Sequence, residues 1–259
     1  MTIDYRIVIP SYQRPQILKD KTLALLKSHN IPIDKIDVLL GTQEEGKEYK
    51  EVLGNGFAKN FIYHGQKGIG AVRNWIKWYY KYETNIKYVV YIDDDIEEIL
   101  DWQTPIQNLE SFIEDMFFET ETRKLNLFGV SAYHNPFFMK KNITTNLKYI
   151  CGCFCGEIID RDKHDIFVDT DHIEDFQFTM EYFLRDGGVV RNNGVCIKTK
   201  YFSPGGICAS YGGLENRKKD MKVAVLYMKE RYGNMCRVIE KKYGFDLRLN
   251  GHYKIENDL

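Results

Sequence analysis

Three consecutive aspartates, Asp93, Asp94 and Asp95, close the β-branched and aromatic run Tyr88-Val89-Val90-Tyr91-Ile92. Carboxylates crowded this way repel one another, and a cation offsets the repulsion. All-oxygen ligands suit Mg²⁺ or Mn²⁺, which take a few protein carboxylates and leave the remaining positions to substrate phosphates. Residues two apart on an extended chain project to the same side. Asp93 and Asp95 are therefore expected to face one ligand, with Asp95 the leading metal ligand and Asp93 its helper. Asp94 is expected to turn toward structural hydrogen bonds. A solvated acidic turn is the alternative reading of the triplet.

A second acidic group comprises Asp169, Asp171, Glu174 and Asp175, with His172 among them. Glu174 and Asp175 open a helical pattern, where carboxylates also serve as N-terminal caps. In a reactive cleft such a carboxylate can take a proton from an attacking hydroxyl. Asp175 is the first candidate for that role, with Glu174 and Asp171 behind it. His172 reads as a packed or surface histidine.

Two loops have residue types suited to a nucleotide. Pro10-Ser11-Tyr12-Gln13-Arg14-Pro15 closes the first apolar run, and its backbone N–H groups and the Tyr12 ring could meet a base or phosphate. Gly68-Ile69-Gly70-Ala71-Val72-Arg73-Asn74 opens a helix, where glycines allow close approach and the N-terminus favours an anion. Arg73 in that first turn opposes the helix dipole, so it is expected to answer to a ligand. No Gly-Lys-Ser/Thr follows, so this is not a Walker loop. Farther on, Gly205-Gly206 and Gly212-Gly213 could hinge a lid. Arg217, Lys218 and Lys219 beside them could neutralise a leaving diphosphate.

The elements that must position these groups alternate. Tyr5–Pro10, Ile36–Leu40, Lys59–Tyr63 and Lys87–Ile92 read as strands. Gln16–Ser28, Glu44–Val52 and Ala71–Tyr82 read as the helices between them. Such alternation argues for a mostly parallel, Rossmann-like sheet with helices on both faces, and ligands on such sheets bind beyond the strand carboxyl ends. The second half reads as a helix over Asn108–Thr122, strands over Leu127–Ala132, Tyr149–Ile159 and Val195–Tyr201, and a helix over Glu174–Arg185 stopped by Gly187-Gly188. A long basic helix over Arg217–Tyr243 follows. One α/β domain over residues 1–259 is expected, with a nucleotide-sugar half to about residue 100 and an acceptor half beyond.

Composition narrows the class. Hydrophobic residues at 44% and charged residues at 28% are ordinary for a globular chain, so its core needs no disulfide framework. A net charge of -1 excludes a wholly basic nucleic-acid binder, yet Arg191–Leu259 carries an excess of Lys and Arg that could face phosphates. Cys151, Cys153 and Cys155 alternate and are expected on one strand face as small buried thiols. There is no CxxC pair, which argues against zinc. Met1–Tyr5 has no basic region leading into an apolar run, and no stretch approaches a membrane span. A cytoplasmic protein with no membrane association and no obligate protein partner is expected, in the host cytoplasm if viral.

Taken in order, Ile-Pro-Ser-Tyr-Gln-Arg-Pro, Gly-Ile-Gly-Ala-Val-Arg-Asn, Tyr-Ile-Asp-Asp-Asp and Glu-Asp-Phe before a helix ending in Gly-Gly resemble the GT-A glycosyltransferases over roughly residues 5–200. The resemblance implies donor nucleotide-sugar contacts at Pro10, Ser11, Tyr12, Arg14, Gly68, Arg73, Asn74, Asp93, Asp94 and Arg217. It implies metal ligation by Asp95 and Asp93, with Asp93 also near the ribose, and a catalytic base at Asp175 beside Glu174. Within the superfamily the chain looks most like the TET-associated and phage glycosyltransferases that modify hydroxymethylated pyrimidines in DNA. That implies a UDP-sugar donor, Mn²⁺ or Mg²⁺, and transfer of glucose or arabinose to 5-hydroxymethylcytosine. The chain departs from the usual pattern in lacking an obvious C-terminal histidine ligand, with His252 alone that far along. The competing readings are a glycosyltransferase for a glycan, lipid head group or protein, a nucleotidyltransferase, and a non-catalytic binding module.

Overall fold

The computed structural model describes residues 3–199, 214–241 and 244–255. Ten strands form one sheet: β1 (Tyr5–Pro10), β2 (Ile36–Leu40), β3 (Asn60–Tyr63), β4 (Tyr88–Ile92), β5 (Glu98–Asp101), β6 (Thr104–Pro105), β7 (Leu127–Ser131), β8 (Ile143–Thr144), β9 (Phe154–Ile158) and β10 (Val190–Lys198). Their order is β3-β2-β1-β4-β9-β7-β10-β5-β6, and β8 pairs with β10. β3, β2, β1 and β4 are parallel neighbours. β9 runs antiparallel between β4 and β7, and β10 returns parallel to β7. β5 closes the far side antiparallel to β10. This is the mixed, mostly parallel sheet that the alternating strands and helices lead one to expect.

The inner strands are nearly continuous apolar runs because both their faces are covered. The period-2 alternation sorts their side chains into two cores. Tyr5, Ile7, Ile9, Val90 and Ile92 pack on one face with Leu18, Leu26, Met116 and Phe117. Val8, Val89 and Tyr91 pack on the other with Val72, Ile76 and Phe178. The first face is covered by a continuous helical segment over residues 15–28, whose middle turn Lys19–Leu23 is a π-helix, and by the helix Leu109–Thr122. The second is covered by helices Ile69–Tyr82 and Glu174–Asp186. Thr42 and Asn108 cap the helices Gln43–Leu53 and Leu109–Thr122 by accepting from the N–H groups of Glu45 and Ser111. Gly187, at φ 83°, stops Glu174–Asp186 in the left-handed conformation that glycine adopts without strain. Among the described residues, no helix is long and apolar enough to cross a membrane.

Four expectations are corrected. The strand read over Tyr149–Ile159 begins only at Phe154, because Gly152 and Cys153 form a turn. Cys151 and Cys153 therefore fall in one core and Cys155 in the other, and the first two are joined as a disulfide across Gly152. The last sheet strand is Val190–Lys198, starting earlier than the expected Val195. The long basic helix ends at Tyr232; Gly233 takes a positive φ, and the chain then folds into a hairpin, β11 (Cys236–Lys241) with β12 (Gly244–Leu249). Alternate apolar residues of the hairpin, Cys236 and Leu247 among them, pack with Val225 and Met228 of the helix. Three basic residues of this segment are engaged within the protein. Arg231 pairs with Asp169 and Glu181, Lys241 with Asp246, and Lys229 donates to the carbonyls of Gly233 and Cys236.

β9 is the tightest place in the sheet. A methyl group at Gly156 would meet the ring of Phe128 on the neighbouring strand β7. Gly156→Ala is expected to destabilise by about 1–3 kcal/mol through overpacking. Urea unfolding would measure this, and a second change, Phe128→Leu, should recover part of the loss.

Candidate active site

β1, β2 and β4 run in the same direction, so the loops after Pro10, Leu40 and Ile92 share one sheet edge. The reversed strand β9 starts on that edge. Its preceding turn lies against the aspartates, and the Asp93 N–H donates to the carbonyl of Cys153 at 3.1 Å. β10 delivers Thr199 to the same place, where its hydroxyl donates to the carbonyl and Oδ1 of Asp95 at 3.1 and 3.0 Å. Thr22 ties down the triplet from below, donating to the Asp93 carbonyl and accepting from the Ile96 N–H.

The three aspartates have different surroundings. Asp93 is the open one, with a side chain 40% exposed and its Oδ1 3.7 Å from Arg73. Asp95 is 14% exposed, and its Oδ2 lies 3.4 Å from Arg14. Asp94 is fully buried, accepts from the Ser11 hydroxyl at 2.6 Å and pairs with the Arg14 guanidinium. Burial pushes the Asp94 carboxyl up to about 7, although Arg14 and Ser11 pull it down.

Several residues grouped with the donor contacts turn inward. Ser11 gives its N–H to the Leu39 carbonyl and its hydroxyl proton to Asp94, and its oxygen accepts from the Tyr49 hydroxyl, so Ser11 and Asp94 brace the loop from beneath. The Asn74 amide is taken up at both ends by the Val168 backbone. The helix end at Gly68–Gly70 already holds an anion: the Asp171 carboxylate accepts from the Gly70 N–H at 2.8 Å, and a Cβ on Gly68 would collide with it. The expected phosphate cradle is thus filled by the protein itself. Pro10 and Arg14 are half-buried at the edge, and Tyr12 is 46% exposed beside it. The side chain of Arg217 and the paired glycines of 205–213 lie outside the described residues.

Arg73 is the main surprise. It is 5% exposed and donates to the Gly152 carbonyl at 2.8 Å, with its guanidinium 5.3 Å over the Tyr91 ring. It stands 3.7 Å from Asp93 and 3.8 Å from Glu174, joining the two acidic groups that the sequence keeps eighty residues apart. Both contacts are longer than hydrogen bonds, so the charge is offset while the carboxylate oxygens keep their acceptor capacity. Its Nη1 has no partner among the described residues, and Arg73 lines a cavity of about 10 Å³ together with Glu174 and Asp175.

Glu174 and Asp175 enter the site through a strained residue, Ile173, at φ 55°. A β-branched residue there costs on the order of 1–3 kcal/mol. Asp175 accepts from the Tyr149 hydroxyl and from the N–H groups of Gly152 and Phe176. Burial raises both carboxyls above the usual range; the charge of Asp175 raises Glu174 further, whereas Tyr149 and the backbone donors restrain Asp175. The rest of the acidic cluster is divided. Asp169 binds Arg231 and Tyr227, Asp171 caps the helix at Gly70, and buried His172 lies 3.8 Å from Asp220. Tyr149, Gly152 and Thr199 were not singled out from the sequence, since nothing local marks a residue whose partner lies far along the chain.

The aspartate pair fits a divalent ion in its chemistry, because Asp93 and Asp95 offer hard oxygen ligands at the cleft. Among the described residues, no set of three His, Cys, Asp or Glu side chains could hold a metal. An ion here would therefore complete its shell with water and donor phosphates, the usual manner of Mg²⁺ and related cations.

Comparison with known proteins agrees with this fold. The mannosyltransferase PcManGT from Pyrobaculum calidifontis, determined in complex with GDP-Man and Mn²⁺, superposes at a TM-score of 0.57 and 12% identity, over 90% of this chain and 65% of that one. The chain thus spans a little under two thirds of the length of that enzyme. A mycobacterial protein superposes at 0.55 and 9% identity, over 95% of this chain and 83% of that one. At these identities the likeness is one of fold. No curated protein matches the chain. The family model of the TET-associated glycosyltransferases matches residues 5–185, well over half of the sequence. The chain belongs to the TET-associated glycosyltransferase family and is a glycosyltransferase with the GT-A fold.

Proposed function

We propose that this glycosyltransferase moves a sugar, glucose or arabinose, from a UDP-sugar to the hydroxymethyl group of 5-hydroxymethylcytosine in phage DNA. The observation that supports it most is the Arg73 bridge, which sets Asp93 and Asp95 on one side and Glu174 and Asp175 on the other. One pair suits a diphosphate with its metal, and the other suits an attacking hydroxyl. The family description supports a nucleic-acid acceptor, and the mannosyltransferase neighbour, determined with GDP-Man, supports a nucleotide-sugar donor.

Asp95 and Asp93 would hold Mn²⁺ or Mg²⁺, which when bound offsets charge on the leaving diphosphate. Tyr12 covers the nucleoside side of the edge, and Arg14 adds positive charge beside Asp95. The region of Arg217 supplies further positive charge to the departing group. Asp175 accepts the acceptor hydroxyl proton, held for this by Tyr149 and two backbone N–H groups. Its raised affinity for a proton suits that task, since a base works best with a pKa near the working pH. The hydroxyl oxygen then attacks the anomeric carbon opposite the diphosphate, inverting its configuration. The first half of the chain serves the donor and the second the acceptor.

Mass spectrometry of hydroxymethylated DNA incubated with the protein, Mn²⁺ and a panel of UDP- and GDP-sugars tests the reaction directly. A hexose or pentose mass increment is expected, with release of a nucleoside diphosphate. Pyrophosphate release would instead identify a nucleotidyltransferase, and transfer only to a glycan or protein competitor would reassign the acceptor. Asp95→Ala should abolish turnover in a protein that still melts cooperatively. Asp175→Asn should lower kcat about 10²–10⁴-fold while donor affinity holds. If Glu174→Gln shows the larger kcat loss, the base is Glu174.

Glu174 also has a pH signature. Its folded pKa lies above the unfolded value because of burial and the charge of Asp175. As pH rises above the ordinary carboxylate range, the unfolded chain releases a proton that the native state retains. Wild-type stability therefore falls through that window and levels off above the folded value. Glu174→Gln cannot ionise, so its stability relative to wild type should be greater at pH 9 than at pH 5 in urea titrations. An equal difference at both pH values would show that burial does not hold Glu174 protonated.

A further inference from the structure

The edge beyond the acidic pairs carries a surface that donor chemistry does not use. β7 is antiparallel to β9, which is antiparallel to β4, so the segment after Ser131 leaves the sheet on the same edge as Asp93. It presents Tyr133, Phe137 and Phe138 at 55%, 85% and 63% exposure. The rings touch one another, with centroids 6.0 Å apart for Tyr133 and Phe138 and 5.1 Å apart for the edge-on pair Phe137 and Phe138. They sit on a built turn: Asn135 accepts from the Phe137 N–H at 3.0 Å and caps the 3-10 turn Pro136–Phe138. Scattered exposed aromatics need no explanation, but a contiguous cluster marks a contact surface.

Beside the rings stand four cations. Lys140 and Lys141 are exposed, and Lys148 and Arg191 are half-buried. Lys148 donates to the Asn193 side-chain oxygen at 3.3 Å. Arg191 donates to the Tyr149 carbonyl and the Ser131 hydroxyl, both at 3.3 Å, and its buried Nε has no partner among the described residues. Every one of these acceptors is neutral, and among the described residues none of the four cations is in an ion pair. Elsewhere Arg14, Arg73, Lys81, Arg185 and Arg231 all have carboxylates. Asn193 gathers three of them: its side-chain oxygen accepts from Lys148, its carbonyl accepts the Lys140 N–H at 3.1 Å, and Arg191 lies two residues before it on β10. The patch is continuous with the site, because Arg191 holds the backbone of Tyr149, whose hydroxyl holds Asp175.

We propose that this surface is the acceptor-strand platform: Lys140, Lys141, Lys148 and Arg191 take the phosphates, and Tyr133, Phe137 and Phe138 stack on the bases that flank the target nucleotide. The assignment rests on the DNA reading above and specifies where the strand lies. Cations without carboxylate partners beside exposed aromatic rings match the chemistry of unpaired or extruded nucleotides. A neutral glycan would use the rings and leave the four cations without an anionic partner, Lys141 keeping only its place 5.6 Å over the Trp102 ring.

The test uses the full chain, a fluorescent oligonucleotide carrying 5-hydroxymethylcytosine, and anisotropy titrations over a range of salt. Phe137→Ser with Phe138→Ser should weaken binding about tenfold or more. Lys140→Gln with Lys141→Gln should reduce the slope of log K against log salt by about 1–2. Donor hydrolysis without acceptor should be unchanged in both, since these side chains lie outside the donor groups. Wild type that binds and glycosylates the oligonucleotide, with variants that bind it equally well, would overturn the platform and leave the DNA reading standing. Wild type with donor hydrolysis and no oligonucleotide binding at low salt would overturn both. A variant defect that appears only in binding of neutral oligosaccharide, or only in self-association by sedimentation, would overturn the platform in favour of a glycan or a second copy.

Discussion

A guanidinium removed from water has to find negative charge, and in this protein the reactive edge is arranged around that requirement. Arg73 lies almost wholly inside, and breaking a buried pair leaves an uncompensated charge that costs several kcal/mol. Asp93, at the end of β4, and Glu174, at the start of a distant helix, stand 3.7 and 3.8 Å from it on two sides. The Gly152 carbonyl fixes the third. One side chain thereby sets the spacing of two acidic pairs and stops them from repelling each other apart. Arg73 is thus the keystone between the two acidic groups.

The sheet makes that arrangement possible. Parallel strands β1, β2 and β4 bring three loops to one edge, and β9, reversed, brings a turn to the same edge from the opposite direction. That turn has to be thin. Gly152 has Arg73 on one side and Asp175 on the other, and a Cβ there would press on both. The chain passes between cation and carboxylate with its backbone alone, donating to one and accepting from the other.

The sequence was most readable where structure is local. The first four strands and the helices between them follow from apolar runs and their periodicity, and their bounds moved by a residue or two. The cysteine alternation before Phe154 imitated a strand because a tight turn between two buried cysteines has the same pattern. The hairpin after Gly233 was hidden because basic residues at helical spacing continue past the true stop. In the site, the aspartate triplet and Glu174-Asp175 stood out through charge crowding. What they touch did not, because the bonds span great distances along the chain. Asp171 meets Gly70 across 101 positions, and Thr199 meets Asp95 across 104.

The carboxylate of Asp171 at the start of the helix Ile69–Tyr82 has a consequence for discrimination. An open helix N-terminus beside a nucleotide cleft is a ready cradle for any small anion. Inorganic phosphate would settle at such an end. With Asp171 tethered to the Gly70 N–H, that helix end already faces a carboxylate, which disfavours further negative charge. Anions that lack the rest of a donor's structure gain no foothold at this helix.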